Sequence, residues 1–218
     1  MPTKSSGNDL MSPARLRLLL ATRNRDKVEE IREALAGLEI ELITVDELGP
    51  LPEVIEDQDT LQGNAIKKAA TLASISGLLA LADDTGLEVD ALNGAPGVYS
   101  SRFSGENATY TENVAKLIRE MEGIPEAQRT ARFRCVIAVA SADRVETVDG
   151  VCEGMITTAP QGSGGFGYDP VFLVPSSGKT FAELSLAEKN RISHRGRALQ
   201  RARQLLEVKI EQGDRQIS

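Results

Sequence analysis

The chain has 218 residues, 41% of them hydrophobic and 26% charged, which suits one substantial folded domain or a core with a smaller lobe. A formal net charge of -7 excludes a globally basic surface for long nucleic acid, while leaving room for a local cationic pocket that takes a small anion. No apolar run is long enough to span a bilayer and no signal-type apolar core precedes the first strand, so no membrane partner is expected and the cytoplasm is the default location.

Residues 1–14 are polar and aperiodic and read as a disordered N-terminal extension, with 211–218 as a flexible tail. Order is expected to begin at Leu16–Ala21, a short apolar run that reads as a buried strand. From Asp26 the spacing becomes helical, with Val28, Ile31, Leu35 and Leu38 on one face, and Glu39–Val45 returns to a strand. An acidic, proline-punctuated loop follows over Asp46–Asp59, then a helix over Thr60–Ser76. Leu78–Ala82 is a third buried strand that runs into the acidic turn Asp83-Asp84-Thr85-Gly86. Beyond a glycine-rich loop over Gly94–Gly105, the pattern predicts a helix over Thr111–Met121, strands over Phe133–Ala140 and Val145–Met155, an irregular segment over Ala159–Pro170 and a closing helix over Arg195–Val208. Alternating strands and helices with no fixed repeat point to an α/β fold around a mixed sheet. Cys135 and Cys152 lie in apolar stretches without zinc spacing and read as buried thiols.

Five segments carry residues suited to chemistry. Thr22-Arg23-Asn24-Arg25-Asp26-Lys27 sits where a strand gives way to a helix, a junction whose backbone amides, dipole and cationic side chains suit phosphate. It lacks the glycines and the Gly-Lys-Ser/Thr ending of a P-loop, and taken alone it fits a plain capped turn slightly better. The pair Asp83-Asp84 after an apolar strand is costly unless paired or bound to a cation, and Mg2+ takes one or two carboxylates together with substrate phosphates. Neighbours on extended backbone point opposite ways, so one of the two faces the ligand. The acidic loop Glu53–Asp59 leads into a helix bearing Asn64, Lys67 and Lys68, which alone reads as a solvated face but also offers a carboxylate to a metal and a lysine to a phosphate. Gly164–Pro170 frames Phe166 and Tyr168 with flexible glycines and Asp169, an arrangement suited to a planar base or to a packed hairpin. Lys189, Arg191, His194, Arg195 and Arg197 form a cationic stretch, with the sole histidine just ahead of the last helix.

Taken in order, these segments resemble the Ham1-like family, the inosine triphosphate pyrophosphatases. The matching residues are Ala21-Thr22-Arg23-Asn24 with Lys27; Asn64-Ala65 with Lys68-Ala69; Ala82–Leu87; Gly94–Ser100; Gly165–Pro170; and Ser193-His194-Arg195-Gly196. They span about Leu16 to Leu206. The resemblance implies hydrolysis of ITP, dITP and XTP to the monophosphate and pyrophosphate, which removes deaminated purines from the nucleotide pool. It implies Mg2+, a homodimer, and an elongated mixed β-sheet flanked by helices, with residues 15–210 as a single catalytic domain of two lobes and the active site in the cleft between them. By position, Asp84 matches the catalytic, metal-binding acid, with Thr85 beside it. Thr22, Arg23, Asn24, Arg25, Asp26, Lys27 and Lys68 match the phosphate side. Phe166, Gly167, Tyr168, Asp169, Lys189, His194 and Arg195 match the base side. Two departures stand out: Arg23 replaces a frequent glycine, and Glu56-Asp57-Gln58 replaces Glu-Thr-Gly. Glu56 is the preferred second metal ligand and Glu53 the alternative.

The expected mechanism is positional and electrostatic: Mg2+ on Asp84 and Glu56 offsets phosphate charge, and Asp84 or Asp83 orients a water at the α-phosphorus. A donor from His194, Arg195 or a backbone amide would favour the 6-carbonyl of hypoxanthine and xanthine over the amino group of adenine. A pyrophosphatase of another base preference and a nucleotide sensor without turnover are the competing readings; the retained acidic pair weighs against the sensor.

Overall fold

The computed structural model describes residues 15–212; the expected N-terminal extension and the last six residues of the expected tail lie outside them. The chain runs β1 (Leu16–Leu20), α1 (Arg25–Ala34), β2 (Ile40–Thr44), α2 (Val45–Leu48), α3 (Leu61–Ser76), β3 (Leu79–Val89), β4 (Pro96–Gly97), α4 (Tyr110–Glu120), β5 (Thr130–Ala140), β6 (Val145–Ile156), β7 (Phe172–Val174), β8 (Lys179–Thr180), α5 (Leu186–Ile192) and α6 (His194–Glu211). One mixed sheet collects the strands in the order β2-β1-β3-β5-β6-β7-β8, with β4 added to the edge of β3. The pairs β1/β2 and β1/β3 are parallel, as crossover through helices requires, and the remaining pairs are antiparallel.

Strand periodicity decides which helix covers which face. Leu18, Leu20, Leu79 and Leu81 point toward α1 and α6, where they meet Ile31, Leu35, Leu199 and Leu206. The intervening Leu19, Ala80 and Ala82 point toward α3 and meet Ala65, Ala69 and Leu72. Alanines on both sides let α3 approach closely. A third cluster packs the far half of β3 and β5, through Leu87, Val89 and Phe133, against Val114 and Leu117 of α4 and the rings of Phe172 and Phe181. This is the smaller lobe, and the cleft opens where it meets the rest.

The acidic segment is not a turn. β3 continues unbroken for 11 residues, and Asp83, Asp84 and Thr85 lie in its middle, paired with Ile137, Val136 and Cys135 of β5. Its other edge pairs with β1 only as far as Leu81 and with β4 only from Leu87, so the stretch between faces open space. Gly86, which read as a turn signal, serves close packing instead: a Cβ there would lie 2.6 Å from the Gly97 carbonyl oxygen. A ligand crevice at the carboxyl end of a strand, where the sheet changes its pairing, is where α/β sheets place their sites.

Two short helices were not expected. α2 occupies the start of the acidic loop, closed by a capping box between Thr44 and Glu47, and α5 precedes the last helix, with Ser185 and Glu188 reciprocally capped. α6 continues to Glu211, so the first residue of the expected tail still belongs to a helix. Among the described residues no helix is long and apolar enough to cross a membrane.

Candidate active site

The cleft is a cavity of about 350 Å³, within the range of small-molecule sites. Its floor is the open stretch of β3. Because Asp83 continues the Leu79–Leu81 face and Asp84 the Ala80–Ala82 face, the two carboxylates meet different surroundings.

Asp84 looks toward α3. Its Oδ2 accepts a hydrogen bond from Asn64 Nδ2 at 3.0 Å, and Oδ1 accepts from the Thr85 amide at 3.0 Å. Asn64 Oδ1 in turn accepts from the Gln58 amide at 2.9 Å, so one buried amide locks the acidic loop against β3. Arg102 Nη2 donates to the Glu56 carbonyl at 3.1 Å and fixes the same loop from the other side. Lys68 Nζ donates to Glu56 Oε1 at 2.8 Å and to the Asp83 carbonyl at 2.6 Å, which places Glu56 beside the cleft; Glu53 lines it too. Burial, together with the charge of Glu56, pushes the Asp84 carboxyl above the ordinary carboxylate value, against the pull of Lys68 and Lys27. Lys68 is itself buried, yet the charges of Asp83, Glu56 and Asp84 outweigh desolvation and hold its ammonium firmly protonated.

Asp83 looks toward α1 and α6. Lys27 Nζ lies 3.1 Å from its Oδ2, and Arg195 reaches the same oxygen through Nε at 3.1 Å and Nη2 at 3.0 Å. Arg195 Nη2 also donates to Thr85 Oγ1 at 3.1 Å, and Nη1 donates to Glu30 Oε2 at 2.5 Å. Glu30 Oε1 pairs with Lys189 Nζ at 2.8 Å, and Lys189 reaches Asp169 Oδ2 at 2.6 Å. Three buried anions, Glu30, Asp83 and Asp169, thus balance three cations, Lys27, Lys189 and Arg195. Burial alone would raise the Asp83 carboxyl, but Lys27, Arg195 and Lys68 hold it far below the carboxylate range. Glu30 is lowered against its own burial by Arg195 and Lys189, whereas Asp169 stays raised because desolvation outweighs Lys189.

The base-side segment is tied into this network. Asp169 Oδ2 accepts from the Phe166 amide at 2.8 Å, and Lys189 Nζ stands 4.5 Å from the Phe166 ring centroid. Tyr168 is buried, and its hydroxyl donates to the Ser100 carbonyl at 2.9 Å, so it frames the loop while Phe166 and Gly167 face the cleft. His194 stacks on Phe133 at 4.5 Å and 14° between planes. Burial and the charges of Arg195 and Lys189 drive its pKa well below the ordinary value, so the ring is neutral, and Nδ1 has no partner among the described residues.

On the phosphate side, Asn24 caps α1 by accepting from the amides of Asp26 at 2.9 Å and Lys27 at 3.2 Å. Two of the amides expected to serve a phosphate are therefore already taken. Thr22, Arg23, Asn24 and Lys27 line the cleft, with the Arg23 guanidinium directed to the Leu51 carbonyl at 2.8 Å. Arg25 and Asp26 do not line it: as the first residues of α1 they project outward, and Asp26 borders a neighbouring cavity of about 180 Å³. Lys67 turns away to Asp57 at 2.7 Å. The sequence offers no role for Glu30 or Tyr110, and it marks Asn64 without showing its bond to Asp84. Glu30 is the buried charge of α1, and its partners, Lys189 and Arg195, come from α5 and α6. Both cysteines are free and buried, and burial pushes the Cys135 thiol up to about 12.

Residues 18–205 match the model of the Ham1 family. The chain belongs to the Ham1 family. It is 53% identical over 192 residues to a dITP/XTP pyrophosphatase of Desulforamulus reducens, covering 88% of this chain and 96% of that one. A dITP/XTP pyrophosphatase of Geobacter sulfurreducens is 53% identical over 84% of this chain and 92% of its own length. Among solved structures, a HAM1 protein from Coxiella burnetii superposes with a TM-score of 0.81 at 45% identity, covering 88% and 98% of the two chains. The Staphylococcus aureus Ham1 protein gives 0.80 at 36% identity over 88% and 99%.

Proposed function

We propose that this Ham1-family protein hydrolyses the triphosphates of deaminated purines, ITP, dITP and XTP, to the nucleoside monophosphate and pyrophosphate. The observation that carries this reading is the opposed placement of Asp83 and Asp84. One carboxylate stands open to the cleft beside Glu56 and Lys68, and the other anchors the cations that border the base side. The names of the relatives from Desulforamulus reducens and Geobacter sulfurreducens support the substrate class.

Asp84 accepts the proton of a water whose oxygen attacks the α-phosphorus; the bond to the bridging oxygen breaks and pyrophosphate leaves. A carboxyl raised above its ordinary value suits that task better than one locked in ion pairs, which sets Asp83 aside as the base. Lys68 and Lys27, which both line the cleft, neutralise phosphate charge. Phe166 offers its ring to the base, and the unpartnered Nδ1 of neutral His194 offers a polar contact to its edge.

A divalent cation fits the residues present. Asp84 and Glu56 are two carboxylates that repel each other at one wall, a charge a metal would relieve, and hard oxygen donors suit Mg2+. Bound there, Mg2+ would supply charge stabilisation to the triphosphate oxygens. Family membership also supports a homodimer acting in the cytoplasm, and light scattering of the purified chain tests the dimer.

The deciding experiment is pyrophosphate release from ITP, XTP, GTP, ATP and dUTP, with Mg2+ and with chelator. Rapid, Mg2+-dependent release from ITP and XTP is expected, with the other three far slower. Preference for dUTP or ATP, or binding without release, overturns the reading.

A further inference from the structure

Tyr110, the first residue of α4, borders the cleft but belongs to none of the segments that carry its chemistry. Its hydroxyl accepts a hydrogen bond from Asn24 Nδ2 at 2.9 Å. Its ring lies 6.0 Å from that of Phe166, tilted by 42°. One side chain therefore links the cap of α1, on the phosphate side, to the aromatic ring of the glycine-rich loop, on the base side. Phe166 also carries Lys189 Nζ at 4.5 Å and Arg195 Cζ at 5.4 Å from its centroid. Cations sit over ring faces because the quadrupole is negative there, so part of the Phe166 surface is already engaged. Tyr110 stays 44% exposed, a large ring at the cleft with no packing partner but Phe166 among its ring contacts. A ring is held in that position by a hydroxyl tether and a loose, tilted neighbour, which leaves its face free for a planar ligand.

We propose that Tyr110 is a substrate-recognition residue whose ring forms the outer wall of the base subsite and stacks, with Phe166, on the purine of the bound nucleotide. The proposal rests on the functional reading above and deepens it. Stacking tolerates different bases, so Tyr110 contributes affinity for any purine while the 6-position is read elsewhere. The bond to Asn24 fixes the ring but is not itself the contact with the substrate.

The test compares Tyr110→Ala, Tyr110→Leu and Tyr110→Phe with the wild type, using ITP turnover and inhibition by inosine monophosphate and by inorganic triphosphate. Loss of one stacked ring should raise KM for ITP and weaken inhibition by the monophosphate about fivefold or more in the alanine and leucine variants. The rise should fall on KM rather than on kcat. Tyr110→Phe should stay close to the wild type, and inorganic triphosphate, which has no base, should inhibit all four equally. Unchanged inhibition by the monophosphate in a Tyr110→Ala variant of normal melting temperature overturns the proposal. An equal loss of triphosphate inhibition also overturns it, because Tyr110 would then act through Asn24 on the phosphates. If the wild type fails to release pyrophosphate from ITP, the functional reading falls, and direct calorimetric titration with the monophosphate still decides the role of Tyr110.

Discussion

Adjacent residues on an extended strand face opposite sides of it, and β3 turns that alternation into different tasks for Asp83 and Asp84. The raised Asp84 carboxyl means that its ionised form is disfavoured by folding, so at neutral pH it costs stability. Asp84→Asn should abolish turnover, by about 10²-fold or more for a lost proton acceptor. The same variant should melt at an equal or higher temperature in metal-free buffer, as expected where a site trades stability for activity. Asp83 is the reverse case. Asp83→Asn leaves Lys27 and Arg195 facing each other without their shared anion, and should destabilise the chain by about 3–5 kcal/mol. Thermal melts and pyrophosphate release on both variants distinguish the tasks, and comparable stability of the two would contradict them. The pair was legible in the sequence as a functional feature, and the alternation rule already said that one member faces the ligand. Which one was open at the level of the residues and came from the family resemblance. The network that settles Asp83 was hidden in part because Glu30, which shares Arg195 with it, is a buried glutamate on a charged helix and looks like any solvated one until its cations are placed.

At the scale of elements, the length of β3 is what makes the cleft. The sequence reading ended the strand at Ala82, since two carboxylates, a threonine and a glycine resemble a turn more than a strand interior. The ladder to β5 continues because Phe133, Cys135 and Ile137 pair along it and bury their side chains. Gly86 is required by the approach of β4, whose Gly97 carbonyl also accepts from Ser100 Oγ at 2.6 Å, while that hydroxyl accepts from the Leu87 amide at 2.9 Å. Gly86→Ala would push a methyl group onto that carbonyl, and overpacking of this kind costs about 1–3 kcal/mol. A lowered melting temperature together with a fall in kcat is expected, because the displaced segment lies two residues from Asp84. An unperturbed melt would show that β4 yields freely. Other elements carry clear local signals in the sequence. Ser185-Leu186-Ala187-Glu188 spells a capping box, enough to start α5 before its apolar pattern is long enough to detect. β4 has only two residues and no pattern of its own, so nothing short of tertiary packing reveals it.

For the whole molecule, a net charge of -7 coexists with a buried network that is neutral, so the surface carries the excess and the interior carries the specificity. That division makes one titration readable on its own. His194 is the only histidine, stacked on Phe133; desolvation by burial first, then the charges of Arg195, Lys189 and Lys27, oppose its protonation, while Asp83 favours it. Its folded pKa lies well below the ordinary 6.5, whereas in the unfolded chain it takes up a proton near that value. The unfolded state therefore binds more protons as the pH falls below 6.5, and stability declines with acidification, by at most about 1.4 kcal/mol per pH unit for one group. Glu30 and Asp83, both lowered, also lose stabilising charge on acidification, but only below their ordinary values of 4.5 and 3.8. Asp84 and Asp169, both raised, act in the opposite sense, since protonation relieves their burial. Between about pH 7 and pH 5.5 the histidine should thus dominate, lowering the melting temperature by about 2–4 °C for each kcal/mol lost in a chain of this size. His194→Gln removes the only imidazole and should flatten the melting temperature across that window, whatever it does to substrate binding. A decline that persists in this variant would mean that His194 is not the group that links folding to protons in this window, since the raised carboxylates Asp84 and Asp169 act in the opposite sense.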